Sequence, residues 1–115
     1  MKFGYYLSPE AENDIDEIIT YIAQENPKVA HTFLDTLYDA MEKLSENPHL
    51  GHIREDLTNK YVKFWPFRWH YLIIYNPVSP IEIIRVLSGY RDIINIIGGK
   101  NKINESEYVY MALTE

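Results

Sequence analysis

Tyr71-Leu72-Ile73-Ile74-Tyr75, the turn Asn76-Pro77-Val78-Ser79-Pro80 and Ile81-Glu82-Ile83-Ile84-Arg85-Val86-Leu87-Ser88 decide the fold. Two runs of β-branched and aromatic residues flank a cluster of turn formers, which is the pattern of a β-hairpin. Both alternating sets of each run are largely apolar. A strand that is apolar on both faces is usually covered on both, so this hairpin belongs inside a layered domain. Gly89-Tyr90-Arg91-Asp92-Ile93 follows, and Gly98-Gly99 breaks the chain.

Upstream of the hairpin, Tyr61 to Phe67 reads as another strand, joined to His70–Tyr75 through a candidate turn at Arg68-Trp69. Neither turn residue has the tolerance of Gly or Asn for positive φ that tight hairpins require. His49 to Lys60 reads as a polar loop. Two amphipathic helices precede it. Ser8-Pro9 starts the first, with Ser to cap free N–H groups and Pro at a position that needs none. Ala11, Ile15, Ile18, Ile19 and Ile22 form its apolar stripe. Asn26-Pro27 repeats the device, Ala30, Phe33, Leu34, Leu37, Met41 and Leu44 form the second stripe, and Asn47-Pro48 with Gly51 ends it. A cap alone separates the helices, so they fold back on each other as a hairpin. Lys2 to Leu7 reads as the first strand, with Phe3, Tyr5 and Leu7 on one face.

The order is β-α-α-β-β-β, an α+β domain with the helix hairpin on one face of a small antiparallel sheet. With each element reversing the last, the first strand is expected antiparallel to the second and fourth. In the fourth strand, Ile81, Ile83, Arg85 and Leu87 are expected on one face and Glu82, Ile84 and Val86 on the other. Residues 1–97 form the domain and residues 98–115 a tail. The second sheet face needs a cover: the chain's own loops and tail, a second copy in a homodimer, or a partner. Within the tail, Tyr108 to Leu113 is too apolar for a free segment and is expected to dock on a sheet face or edge.

Composition limits the functions. There is no Cys among 115 residues, so no disulfide framework and no thiol chemistry. The formal net charge is −6, the wrong sign for a chain that grips nucleic acid by itself. Ten acids and two bases lie between Pro9 and Asn47, against six bases and four acids between Pro48 and Gly99. No apolar run has membrane-spanning length and no leader pattern opens the chain, so a cytoplasmic location and no membrane association are expected.

Little in the chain points to catalysis. Asp14, Asp16, Glu17, Asp35 and Asp39 fit the solvated faces of the helices better than acid–base pairs. His49 and His52 lack a third ligand for a metal, and no cofactor fingerprint occurs. The constellation that remains is Lys63, Arg68, Arg85 and Arg91 with Tyr61, Tyr71, Tyr75 and Tyr90. Cations among aromatics can hold a phosphate and stack a base.

Leu7-Ser8-Pro9-Glu10-Ala11, Tyr21-Ile22-Ala23, Asn47-Pro48 with Gly51, Tyr71-Leu72-Ile73-Ile74-Tyr75 and the Arg91-Asp92 ending resemble the ParE branch of the RelE/ParE toxin superfamily. The resemblance spans about Lys2 to Ile93. It implies the toxin of a type II toxin–antitoxin system, found among plasmid stabilisation proteins, which poisons DNA gyrase without being an enzyme. It also implies a cognate antitoxin, a small DNA-binding protein that wraps its C-terminal segment over the toxin. The alternatives are a RelE-like ribosome-dependent messenger RNA interferase and a non-toxic relative that binds an antitoxin. The ribonuclease branch carries an arginine after the tyrosine that opens the third strand, where this chain has Leu72. Of its two strand lysines, one falls near Lys63 and the other near Trp65; Arg91 matches its terminal arginine. If the nuclease reading held, Lys63 and Arg91 would be catalytic. Under the toxin reading, Lys63, Trp65, Arg68 and Arg85 are candidates for antitoxin binding and Tyr90 and Arg91 for target binding. No metal or cofactor is expected.

Overall fold

Chain direction in this molecule is set at Ser8. The computed structural model describes residues 4–68 and 70–88. Strand β1 spans Tyr5–Leu7 and helix α1 spans Pro9–Glu25, with one residue between them. Ser8 does two jobs. Its Oγ accepts from the Ala11 N–H at 2.9 Å as a helix cap, and its hydroxyl donates to the Ile84 carbonyl at 2.7 Å. Asn26 likewise serves both helices. Its N–H donates to the Ile22 carbonyl at the end of α1. Its Oδ1 accepts from the N–H groups of Lys28 and Val29 at the start of α2, Pro27–Glu46. A short 3₁₀ turn at Pro48–Leu50 follows, then β2 (Lys63–Phe67), β3 (Tyr71–Asn76) and β4 (Ile81–Ser88).

The α+β class, the order of elements and the helix hairpin on the sheet agree with the sequence. The direction of the first strand does not. The sheet order is β1-β4-β3-β2, with β2–β3 and β3–β4 antiparallel and β1 parallel to β4, so the sheet is mixed. The cause is local. With no loop after Leu7, α1 cannot turn back; it continues in the direction of β1 and lies along the part of β4 that the short β1 leaves unpaired. Ser8 reaches Ile83 and Ile84 on β4, and Asp14 reaches Val86. Helix α2 then returns, with Phe33 against Phe67 near one end of the sheet and Ser45 beside Gly4 at the other. Each later strand is therefore reversed from the expected sense.

The core lies between helices and sheet. Ile15, Ile18, Phe33, Leu37, Met41 and Leu44 pack with Ile73, Tyr75, Ile81, Ile83 and Val86. The pairing of β3 and β4 shifts between Ile74 and Tyr75, placing Arg85 opposite Ile74 and Ile83 opposite Tyr75. This bulge breaks the alternation. Val86 joins Ile81 and Ile83 on the helix side, and Leu87 pairs with Leu72 in the set that faces away. On that second face Phe64, Leu72, Ile74 and Leu87 are already buried within the single chain. Leu57 and Val62 of the loop after the 3₁₀ turn are buried too. No partner is needed to take these residues from water.

The described helices include none long and apolar enough to cross a membrane. The 97/98 boundary, the docking of Tyr108–Leu113, and Phe3, Trp69, Tyr90 and Arg91 lie outside the described residues.

Candidate partner-binding site

Lys63 opens β2, opposite Tyr75. Its Nζ donates to the carbonyls of His49 and Gly51, each at 3.2 Å. The Tyr75 hydroxyl donates to the Pro48 carbonyl at 2.7 Å and accepts from the Gly51 N–H at 2.8 Å. A Cβ at Gly51 would stand 2.6 Å from that hydroxyl, so the position has no room for a side chain. Burial pushes the Tyr75 phenol up from its ordinary pKa, and the bond from Gly51 partly offsets this. Trp65, also on β2, is half-buried and stacks on His52 at 6.4 Å between centroids. His52 itself pairs backbone to backbone with Phe64 in both directions. Lys63 and Trp65 thus hold the loop that follows α2. That loop and Pro66, which has no N–H, leave the outer edge of β2 a poor template for an added strand.

Arg85 lies on β4, with β3 between it and Lys63. Its Nε and Nη2 bind the two carboxylate oxygens of Asp14 at 2.7 and 2.8 Å. The Asp14 Oδ2 also accepts from the Val86 N–H at 3.0 Å. Hydrogen bonding to Asp14 raises the Arg85 pKa, against the opposing effect of burial. Asp14 is 7% exposed, not part of the solvated helix face. The signal was present in the spacing: Ala11, Asp14, Ile15 and Ile18 share one stripe. Asp16, Glu17, Asp35 and Asp39 are exposed as expected.

Arg68 stands apart from these engaged residues. The β2–β3 connection runs over residues 68–70, one longer than the two-residue turn expected, because Phe67 pairs with Tyr71. Arg68 takes φ of +60°, the region the sequence reading marked as awkward for it. Its guanidinium lies 5.9 Å from the ring centroids of both Phe33 and Phe67. Phe33 in turn meets Phe67 and Tyr71 edge to face, at 5.5 and 4.9 Å. Beside this cluster a cleft of about 170 Å³ opens between α1 and the ends of β3 and β4, lined by Glu17, Ile18, Tyr21, Tyr71 and Ser88. Burial raises the Tyr71 phenol, with Tyr21 adding to the effect and Arg68 opposing it. Tyr21 is not among the site residues expected from the sequence. An aromatic on the polar side of an amphipathic helix, 71% exposed here, was the available signal.

The described residues contain no cluster of three or more His, Asp or Glu able to hold a metal. The arrangement offers cation, aromatic and backbone contacts.

A helix hairpin on a four-stranded mixed sheet, with a cation held among aromatics at one end, defines a small α+β domain. Residues 5–93 match the family model described as ParE toxin of type II toxin–antitoxin system, parDE, and the chain belongs to that family. Among solved structures it is similar to a chain described as "Chromosomal ParDE TA system from P. aeruginosa". The two share 18% identity and a TM-score of 0.62, over 76% of this chain and 96% of that one, a likeness of fold. No curated protein sequence matches the chain significantly.

Proposed function

We propose that this chain is a gyrase-poisoning toxin, neutralised by a cognate antitoxin, and not a ribonuclease. The observation that carries the choice is Leu72. The ribonuclease branch has an arginine at this position, whereas Leu72 is 4% exposed in the sheet and an alkyl group cannot steady a developing phosphate charge. Lys63, the remaining strand lysine of that set, is hydrogen-bonded to two loop carbonyls. Each missing transition-state contact typically costs about 10²–10³ in rate. The net charge of −6 also disfavours a long RNA substrate. Family membership and the likeness to a structure described as a ParDE system support an antitoxin partner. We assign target contact to Tyr90 and Arg91.

Purified chain incubated with gyrase, ATP and supercoiled plasmid should give linear DNA after detergent and protease treatment. New 3′ ends in ribosome-bound messages, lost on Arg91→Ala, would instead establish the interferase. Absence of both activities, with retained antitoxin binding, would mark a non-toxic relative.

A further inference from the structure

We propose that Arg68 is the anchor for a carboxylate side chain of the antitoxin, and that the adjoining cleft between Tyr21 and Tyr71 takes an uncharged side chain from the same segment. The proposal rests on the toxin–antitoxin reading and deepens it to one site and one kind of contact.

Three observations converge on Arg68. First, it is free to bind. Of the described cations on or beside the strands, Lys63 serves the 48–51 turn and Arg85 serves Asp14. Arg68 makes cation–π contacts with Phe33 and Phe67 and, among the described residues, no hydrogen bond or ion pair. Neither ring is a hydrogen-bond acceptor of the ordinary kind, so the N–H fork is left for a planar acceptor. A carboxylate fits that fork with two parallel bonds. Second, it is pre-ordered. The two rings restrict the side chain before any partner arrives, which lowers the entropy cost of binding. Third, the backbone at φ +60° is one that glycine adopts freely and arginine does not. Retaining arginine there works against the turn, and such outliers gather at binding sites.

Charge limits the occupant. The helices carry ten acids and two bases between Pro9 and Asn47, and all the acids but the buried Asp14 are exposed, so an acidic segment is repelled from most of their surface. Glu17 lines the cleft itself and disfavours an acid there, while Ile18, Tyr21 and Tyr71 offer apolar surface to an uncharged side chain. A cleft near 170 Å³ is of the order that admits a benzene-sized group. A partner segment with one acid beside an aliphatic or aromatic residue satisfies both conditions. A polyanion does not, because among the described residues Arg68 is the cation beside this cleft and Glu17 in its lining repels further phosphates.

The test uses the full chain co-expressed with the product of its adjacent reading frame. Affinities are measured by calorimetry for the wild type and for Arg68→Gly, Arg68→Lys and Arg68→Glu. The expected result is binding about ten- to a hundredfold weaker for all three, the loss of a charged hydrogen-bonded pair. Arg68→Gly should melt no lower than the wild type, since the turn relaxes. Replacing one acidic residue of the partner by Lys should restore binding to Arg68→Glu alone. If the wild-type complex forms and the three variants bind equally well, the anchor is wrong and the toxin–antitoxin reading stands. If the wild type binds no adjacent product, that reading fails and the anchor fails with it.

Discussion

Asp14 accepts three hydrogen bonds on two oxygens: two from Arg85 and one from the Val86 N–H. The last matters because β4 continues past Ile83, where β1 ends. An unpaired strand edge is a template for misassembly; here a serine and an aspartate from the start of α1 occupy it. Asp14→Asn keeps an acceptor for Val86 but takes from Arg85, 24% exposed, its ion-pair partner, leaving only the weaker pull of Glu10 and Glu17. We expect a loss of about 3 kcal/mol in urea unfolding, the low end for a broken buried pair because Arg85 is partly wetted. Asp14→Asn combined with Arg85→Gln should regain part of that loss. A double variant weaker than Asp14→Asn would show that the charge is not the cause. Tyr75 gives a second expectation. Burial raises its pKa above the ordinary value of 10.0, so the folded state holds the proton more tightly than the unfolded chain. That stability is complete below about pH 10 and is lost as pH rises through the folded value. Tyr5 and Tyr71 are raised by burial too and act in the same direction. Urea midpoints measured from pH 8 to 11.5 should fall at the alkaline end. The fall should be shallower in Tyr75→Phe, whose midpoint at pH 8 should already be lower because the bonds to Pro48 and Gly51 are gone. An identical alkaline slope in that variant would exclude Tyr75 as a contributor.

At the scale of elements, the hairpin of helices is held to the sheet by one seam. Phe33 is 4% exposed and Leu37 is fully buried, both in the main core cluster. Phe33→Ala and Leu37→Ala should each cost about 2–5 kcal/mol, seen as lower urea midpoints with an unchanged m-value. Tyr38→Ala, on the outward face at 42% exposure, should change little. Equal effects at positions 37 and 38 would overturn the assigned faces. These helices were legible in the sequence because caps, proline positions and apolar spacing are local signals, and Ser8, Asn26 and Asn47 stand at the expected boundaries. Strand direction was not legible. It depends on whether the chain turns between Leu7 and Pro9, and a single capping serine reads alike for a helix that turns back and one that runs on. The bulge at Ile84 escaped notice for a related reason: β4 is apolar on both faces, so a one-residue shift leaves its pattern unchanged. At the candidate site the cations were visible as residue types. Which were already engaged was hidden, since Lys63 and Arg85 meet partners far along the chain.

For the molecule as a whole, the fold keeps the two charge populations apart. Most acids of the helices face water, while the buried Asp14 is paired with Arg85. Of the described Lys and Arg on or beside the strands from β2 onward, Lys63 and Arg85 are held by the chain itself and Arg68 remains available. Binding to duplex DNA draws on counterion release, which needs several free cations facing phosphates together. Among the described strand residues Arg68 stands without a neighbouring free cation, and a net charge of −6 opposes the approach of a polyanion. We therefore expect no binding of the chain alone to a labelled 30-base-pair duplex by fluorescence anisotropy, at either 50 or 150 mM salt. DNA contact in the assembled system should enter through the antitoxin or through gyrase already engaged with DNA. The complex with antitoxin should accordingly bind duplex with a steep salt dependence, and Arg68→Glu should leave that slope unchanged wherever the complex still forms. Salt-dependent binding by the chain alone would contradict this account, because it would require a run of cations facing outward that the described surface does not have.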